Sequence, residues 1–405
     1  MSECHHRQAV AEELVRAVVL GRLEDQPVSG ELKSTQALKL EFSTRELPGD
    51  QDQALPHVLV RVPVAHCVAV QLQGGPGQVD SRGPEGVCLT GVFDAWAGAP
   101  TEQDAYAIWQ ALGESGELTL RIFGSVREVD SADVIASRFK AFSETYASDM
   151  VRPEAIKLAA DGVPEGHTAF LLTPYVDSTN EDFGQPMISK ADLTANITTY
   201  FSHNIPVHIH AIGGAAVRMS LDAIEAARNE TGNQAVRATI AHMDFVHPDD
   251  IPRFAALNVT AQTSIQWAAR DPSYFNIGSF VGMDKVENAY PVRSIMQSGA
   301  NQSFGADWPA SAYLSTYKPL ELIEAAVTRR LPGELAMPVR NADQAVSVSE
   351  AIIAMTRNTA IQVGELDTLG SISVGKLADM VLLESNLFDI PADNIHSTTI
   401  TMTPL

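Results

Sequence analysis

Apolar residues recur at every second position in HVLVRVPVAHCVAVQL, residues 57–72, and that alternation turns successive side chains to opposite faces of a strand. Pro63 cannot donate to a ladder, so the stretch is expected to be a strand pair broken there. From residue 86 short apolar runs begin to alternate with amphipathic segments. The predicted strands are GVCLTGVFDA, LTLRIFGSV, AIKLAADG, IPVHIHAIG, VRATIAHM, NVTAQTSI and ANQSFGADW. Between them the apolar spacing changes to the helical three-and-four pattern in DAYAIWQALGES, KADLTANITTYFSHN, AVRMSLDAIEAARNE, PDDIPRFAAL and KPLELIEAAVTRR. Strand followed by helix, repeated in this way, predicts a parallel sheet with helical crossovers. With some seven units and no dinucleotide fingerprint opening the series, the expectation is an α/β fold of the (β/α)8 TIM-barrel type.

The flanks read differently. Residues 1–56 predict a short helix and an irregular acidic segment, and QGGPGQVDSRGPEG, residues 73–86, predicts a surface loop, since it has no P-loop lysine. After Leu366, LGSISVGKLADMVLLESNLFDIP predicts short strands and turns outside the barrel. The expected division is therefore 1–56, a barrel over 57–365, and a small β-domain over 366–405.

Composition narrows the function. A chain of 405 residues with 45% hydrophobic and 19% charged side chains has the makings of a packed globular protein. A net charge of −22 disfavours nucleic acid and anionic membranes, which reward Lys and Arg. Three cysteines, Cys4, Cys67 and Cys88, sit in no metal or redox spacing, and the opening MSECHHRQAVAEELV is unlike a signal peptide. No run reaches the roughly 18 apolar residues of a membrane span. The expectation is a soluble cytoplasmic protein acting on a small molecule.

In parallel barrels the chemistry gathers at the C-terminal ends of the strands. Four predicted strands end in, or near, a side chain suited to it: Lys157, His210, His242 and Asp307. Singly, each has a plain alternative: a solvated lysine, hydrogen-bonded histidines, an aspartate capping the next helix. Together, two imidazoles and a carboxylate suit a divalent, zinc-like ion, and an Asp beside an activated water can take up its proton. His208 lies on the same strand face as His210 but roughly 6–7 Å deeper, so a packed or hydrogen-bonded role is expected for it.

The order Lys157, His210, His242, Asp307, with the phrases HAIGG, FGADWP, EAAVTRR and above all GSISVGKLADMVLL, resembles the amidohydrolase superfamily, and within it the amidohydrolase 3 branch that includes N-substituted formamide deformylases. The likeness runs from about residue 86 to about 400. It implies an eight-stranded barrel with a metal at its mouth and a β-sandwich built from both chain ends. It also implies His210 and His242 as metal ligands, Lys157 as a lysine that can bridge metals as a carbamate, and Asp307 as both ligand and proton shuttle. The implied reaction is hydrolysis of an amide-like C–N bond, with His242 and Asp307 in the catalytic set and one zinc ion.

The sequence also departs from the family. The His-x-His of the family's first barrel strand is not found; the adjacent His5 and His6 would point to opposite faces of a strand. Gly214 replaces the family's aspartate after HAIG, and His66 matches a family histidine only loosely. An incomplete barrel with a remnant of the small β-sandwich is therefore expected, with open strand edges that favour a homo-oligomer. Two functions follow: an active metal-dependent amidohydrolase, or an impaired or inactive relative that keeps the fold.

Overall fold

The computed structural model describes residues 89–97, 101–309, 314, 316–334 and 336–402. The expected N-terminal segment, the strand pair at 57–72, the glycine-rich connection, His5, His6, His66 and all three cysteines lie outside the described residues. Seven parallel strands follow in chain order: β1 (Gly91–Asp94), β2 (Arg121–Arg127), β3 (Val151–Ala159), β4 (Val207–Ala211), β5 (Ala238–His242), β6 (Val259–Ser264) and β7 (Gln302–Gly305). Each pairs with the next in an unbroken order, and the sheet curls into an incomplete barrel. Each of the seven predicted strands overlaps one of them, although β2 ends one residue later, and β3 begins four residues earlier, than expected. Among the described residues β1 and β7 have no strand on their outer edges.

Helices cover the outside. The main ones are α1 (Glu102–Glu114), α2 (Ala132–Tyr146), α3 (Lys190–Ser202), α4 (Gly214–Thr231) and α5 (Ile251–Ala256), followed by α6 (Pro272–Val281), α7 (Met283–Glu287), α8 (Val292–Gln297), α9 (Pro319–Thr328), α10 (Val348–Met355) and α11 (Arg357–Gln362). The sequence pattern singled out α1, α3, α4, α5 and α9. None of the helices is long and apolar enough to cross a membrane.

The period of two decides which side chains reach the barrel interior. Ile156 and Leu158 of β3 and Val207, Ile209 and Ala211 of β4 share a buried cluster with Leu193, Ile197, Tyr200 and Phe201 of α3 and Val217, Leu221 and Ile224 of α4. The intervening Lys157, His208 and His210 must then face inward. The apolar layer outside thus fixes the polar layer inside.

The tail after residue 366 folds back on the barrel. Its β8 (Leu382–Leu383) and β9 (Ile400–Met402) form a short antiparallel pair separate from the barrel sheet. Val381, Leu383, Leu387 and Ile395 share a buried cluster with Leu89 and Val92 beside and in β1, Phe304 of β7 and Leu320 and Ile323 of α9. Within the GKLAD phrase, Lys376 donates from Nζ to the Leu369 carbonyl at 2.8 Å. Asp379, 4% exposed, accepts from Arg121 Nε at 3.0 Å and ties the tail to the start of β2. A buried pair loses more when one partner is removed than it contributes when made, because the other charge is stranded. Asp379→Asn is expected to cost about 3 kcal/mol of unfolding free energy, measured by urea titration; a loss under about 0.5 kcal/mol would make this contact a surface-type pair.

Candidate functional site

The register of the sheet brings the predicted residues to one end of the barrel. Lys157 of β3 lies beside His208 of β4, and His210 lies one ladder step ahead of the Ala211–His242 pair. The His210 and His242 rings face each other with centroids 4.5 Å apart and a 57° tilt. By strict alternation His242, in phase with the buried Ile240, would point to the helix layer. The strand ends at His242 with φ 75°, and its ring turns to the mouth. Asp307, two residues beyond β7, also has a left-handed backbone, φ 53°. Left-handed conformations at non-glycine strand ends are costly and cluster where a side chain is held for use.

Each ring's partners define its protonation. His210 Nε2 lies 3.1 Å from the Gly162 carbonyl oxygen. A carbonyl only accepts, so Nε2 carries the hydrogen and, in the neutral ring, Nδ1 holds the free lone pair. Burial, reinforced by the Lys157 charge, pushes His210 down to about 4. His242, 6% exposed, is held well below the usual histidine range by burial and then by His210. Its Nδ1 is 3.3 Å from Ser264 Oγ, and Trp267 stacks on its ring at 5.4 Å. No hydrogen bond engages its Nε2 among the described residues.

Lys157 and His208 form the layer beneath. Lys157 Nζ donates to His208 Nδ1 at 3.1 Å, and His208 Nε2 donates to Gln262 Oε1 at 2.6 Å. Phe93 of β1 covers the His208 ring at 4.8 Å. Both nitrogens of His208 are engaged, which is the hydrogen-bonded role expected of it. Burial holds Lys157 below the usual lysine range against the opposing charge of Asp307, and burial holds Asp307 above the usual carboxylate range against Lys157.

The set fits a divalent ion in chemistry: two neutral imidazoles on neighbouring strands, each with a nitrogen free to ligate. It does not by itself complete a coordination shell. Among the described residues no three His, Cys, Asp or Glu side chains stand close enough together to hold a metal ion.

Three buried carboxylates at the same end of the barrel were not singled out from the sequence. Asp94 ends β1, 1% exposed, and burial pushes it up to about 7. Asp161 follows β3 and Asp244 follows β5, and burial raises both to about 7. The available signal was their place, at a strand's C-terminal end in GVFDA and two residues beyond it in LAADG and AHMD. Nothing in the sequence showed how dry those places are.

Comparisons with known proteins give the family and the fold. Residues 70–404 match the model of the Amidohydrolase family, and the chain belongs to that family. It is 28% identical over 237 residues to Protein LONG AFTER FAR-RED 3 of Arabidopsis thaliana, covering 58% of this chain and 39% of that one. It is 25% identical over 317 residues to the N-substituted formamide deformylase of Arthrobacter pascens, covering 75% of this chain and 54% of that one. The chain therefore spans about two fifths to a little over half of these curated relatives. Its fold is similar to that of an uncharacterized metal-dependent hydrolase from Pyrococcus horikoshii, with TM-score 0.61, 22% identity, and 74% and 57% of the two chains covered.

A histidine whose folded pKa is depressed contributes stability that is present above its unfolded value, near 6.5, and is lost as pH falls toward the folded value. In the metal-free chain the His210 ring is expected to titrate near 4, followed by its ring nitrogen shifts in NMR. A midpoint near 6.5 would mean that the ring is solvated.

Proposed function

We propose that this chain is a metal-dependent amidohydrolase that cleaves an amide-like C–N bond of a small molecule, with one zinc ion held by His210 and His242 and Asp307 drawn to the ion when it binds; Lys157, whose ammonium is held by His208, would join the shell only as a carbamate. The observation that carries this reading is the facing pair of neutral imidazoles at the strand ends. Family membership and the similarity to a metal-dependent hydrolase support it.

A zinc ion bound there would lower the pKa of a water toward neutrality and polarise the scissile carbonyl. The chain's own side chains supply the rest. Asp307, raised toward neutrality by burial, accepts a proton from the attacking water at a carboxylate oxygen and passes it to the departing nitrogen. His210 presents Nδ1 because Gly162 engages Nε2. Trp267 backs the His242 ring and excludes water from that side. Lys157, fixed by His208, sets the electrostatics around Asp307. A cysteine pattern with no disulfide or metal spacing favours a cytoplasmic protein, and among the described residues β1 and β7 carry no strand on their outer edges, which favours a homo-oligomer.

A second reading, an impaired or inactive relative, is favoured by one observation: the described residues bring no third His, Cys, Asp or Glu to the imidazole pair. Metal content separates the two. The purified chain is expected to carry or take up about one zinc per chain, a stoichiometry typical of single-ion catalytic sites. His242→Ala should abolish metal retention, whereas His208→Ala should lower stability by about 1–3 kcal/mol, the cost of leaving buried partners unpaired, and leave the metal in place. A chain that neither carries nor takes up zinc ends the enzyme reading, and equal metal loss in both variants would make His208 a ligand.

A further inference from the structure

Three backbone N–H groups from two separate segments converge on one buried carboxylate. Asp161 is 1% exposed. Its Oδ2 accepts from Phe170 N at 2.8 Å and from Gly213 N at 2.8 Å, and its Oδ1 accepts from Ile212 N at 2.9 Å. Phe170 belongs to the long connection between β3 and α3, whereas Ile212 and Gly213 form the turn that follows His210. Phe170 also receives the first turn of α4, its carbonyl accepting from Ala215 N at 3.0 Å and Ala216 N at 3.2 Å. The approach is so close that a Cβ on Gly213 would lie 2.0 Å from the Phe170 oxygen. Gly213 is thus required by the loop that crosses it, while at Gly214 a Cβ would meet the Phe245 oxygen at 2.8 Å.

The same corner controls His210. Gly162, adjacent to Asp161, supplies the carbonyl that takes the His210 Nε2 hydrogen. Asp161 Oδ1 is 3.7 Å from that nitrogen, too far for a hydrogen bond, so beyond its charge the carboxylate acts on the ring through the backbone it anchors.

We propose that Asp161 is a positioning residue for His210, joining the loop that carries Phe170 to the 211–214 turn so that the order of that loop and the direction of the His210 lone pair are set together. The importance of that lone pair rests on the zinc reading above; the coupling itself does not. Because binding couplings are reciprocal, an ion on His210 must tighten the loop as much as the ordered loop tightens the ion. The barrel-mouth loop is then a part of the metal site that touches no metal.

The experiment compares the wild-type chain with Asp161→Asn, with zinc alone as the ligand. The amide replaces a carboxylate oxygen with an NH2 group that cannot accept from the converging N–H groups. Zinc affinity, by competition with a chromophoric chelator, is expected to fall about 10- to 100-fold, the range for residues that orient metal-bound histidines. Amide hydrogen exchange at Phe170 should rise about 10-fold or more in the metal-free variant, and zinc should slow it in the wild type only. In the metal-free state, 15N shifts of the His210 ring should show the Nε2–H tautomer losing its dominance. Asp250→Asn is the control, a comparably buried carboxylate held by the side chains of Arg218 and Arg253 at 2.9 and 3.1 Å rather than by the N–H groups of Phe170, Ile212 and Gly213. It should lower stability yet leave zinc affinity within about twofold, no more than the scatter between independent sites. Gly213→Ala, which displaces Phe170 from the other side, should reproduce the Asp161→Asn effects and serves if that variant does not fold.

Unchanged His210 tautomer and Phe170 exchange in both Asp161→Asn and Gly213→Ala would overturn the proposal, as would equal zinc loss in Asp250→Asn. If the wild type binds no zinc, the metal reading falls, and the two metal-free measurements decide the coupling by themselves.

Discussion

Two imidazole rings 4.5 Å apart, one buried and the other four-fifths buried, disfavour each other's charge, and this end of the barrel is organised around keeping them neutral. Neutrality leaves each ring with a lone pair, and the hydrogen-bond partners decide which nitrogen bears it. Gly162 claims the proton of His210, and Ser264 engages Nδ1 of His242. The nearest cation, Lys157, is held by His208, whose other nitrogen is spent on Gln262. A second polar layer therefore supports the first, and neither histidine of the His208–His210 pair is redundant.

The buried acids pull in the opposite direction. Asp94, Asp161 and Asp244, raised from 3.8 to about 7, favour the fold while they are protonated, and that contribution is lost as pH rises through about 7. His210, lowered to about 4, favours the fold while neutral, and that contribution is lost as pH falls from 6.5 toward 4. Both burdens come from desolvation at the barrel mouth. A site that suppresses charge on five or more side chains costs stability that the apolar layers on β3, β4, α3 and α4 must offset.

Much of this was legible in the chain. Seven apolar runs became seven strands because alternation and short length identify a strand buried between two layers, and the strand-end position of Lys157, His210, His242 and Asp307 followed from barrel geometry alone. Local pattern failed where a long-range condition decides. Alternation sends His242 outward, and only the left-handed backbone at the end of β5 turns it in. The helix α2, amphipathic but rich in polar residues, was passed over, and so were the short helices α6, α7 and α8 around the mouth. Asp94, Asp161 and Asp244 read as ordinary turn residues, because dryness comes from segments distant in sequence. The expected His-x-His gap is a statement about the sequence, and the region before residue 89 lies outside the described residues.

In the proposed metal centre His210 and His242 share one divalent ion through the nitrogens their hydrogen bonds leave free. X-ray absorption and anomalous diffraction at the zinc edge, on zinc-loaded protein, test it most directly. One ion is expected about 2.0–2.1 Å from His210 Nδ1 and from an imidazole nitrogen of His242, the usual zinc–nitrogen distance. An ion bound to only one of these rings, reaching His210 through Nε2, or seated elsewhere on the chain would contradict it.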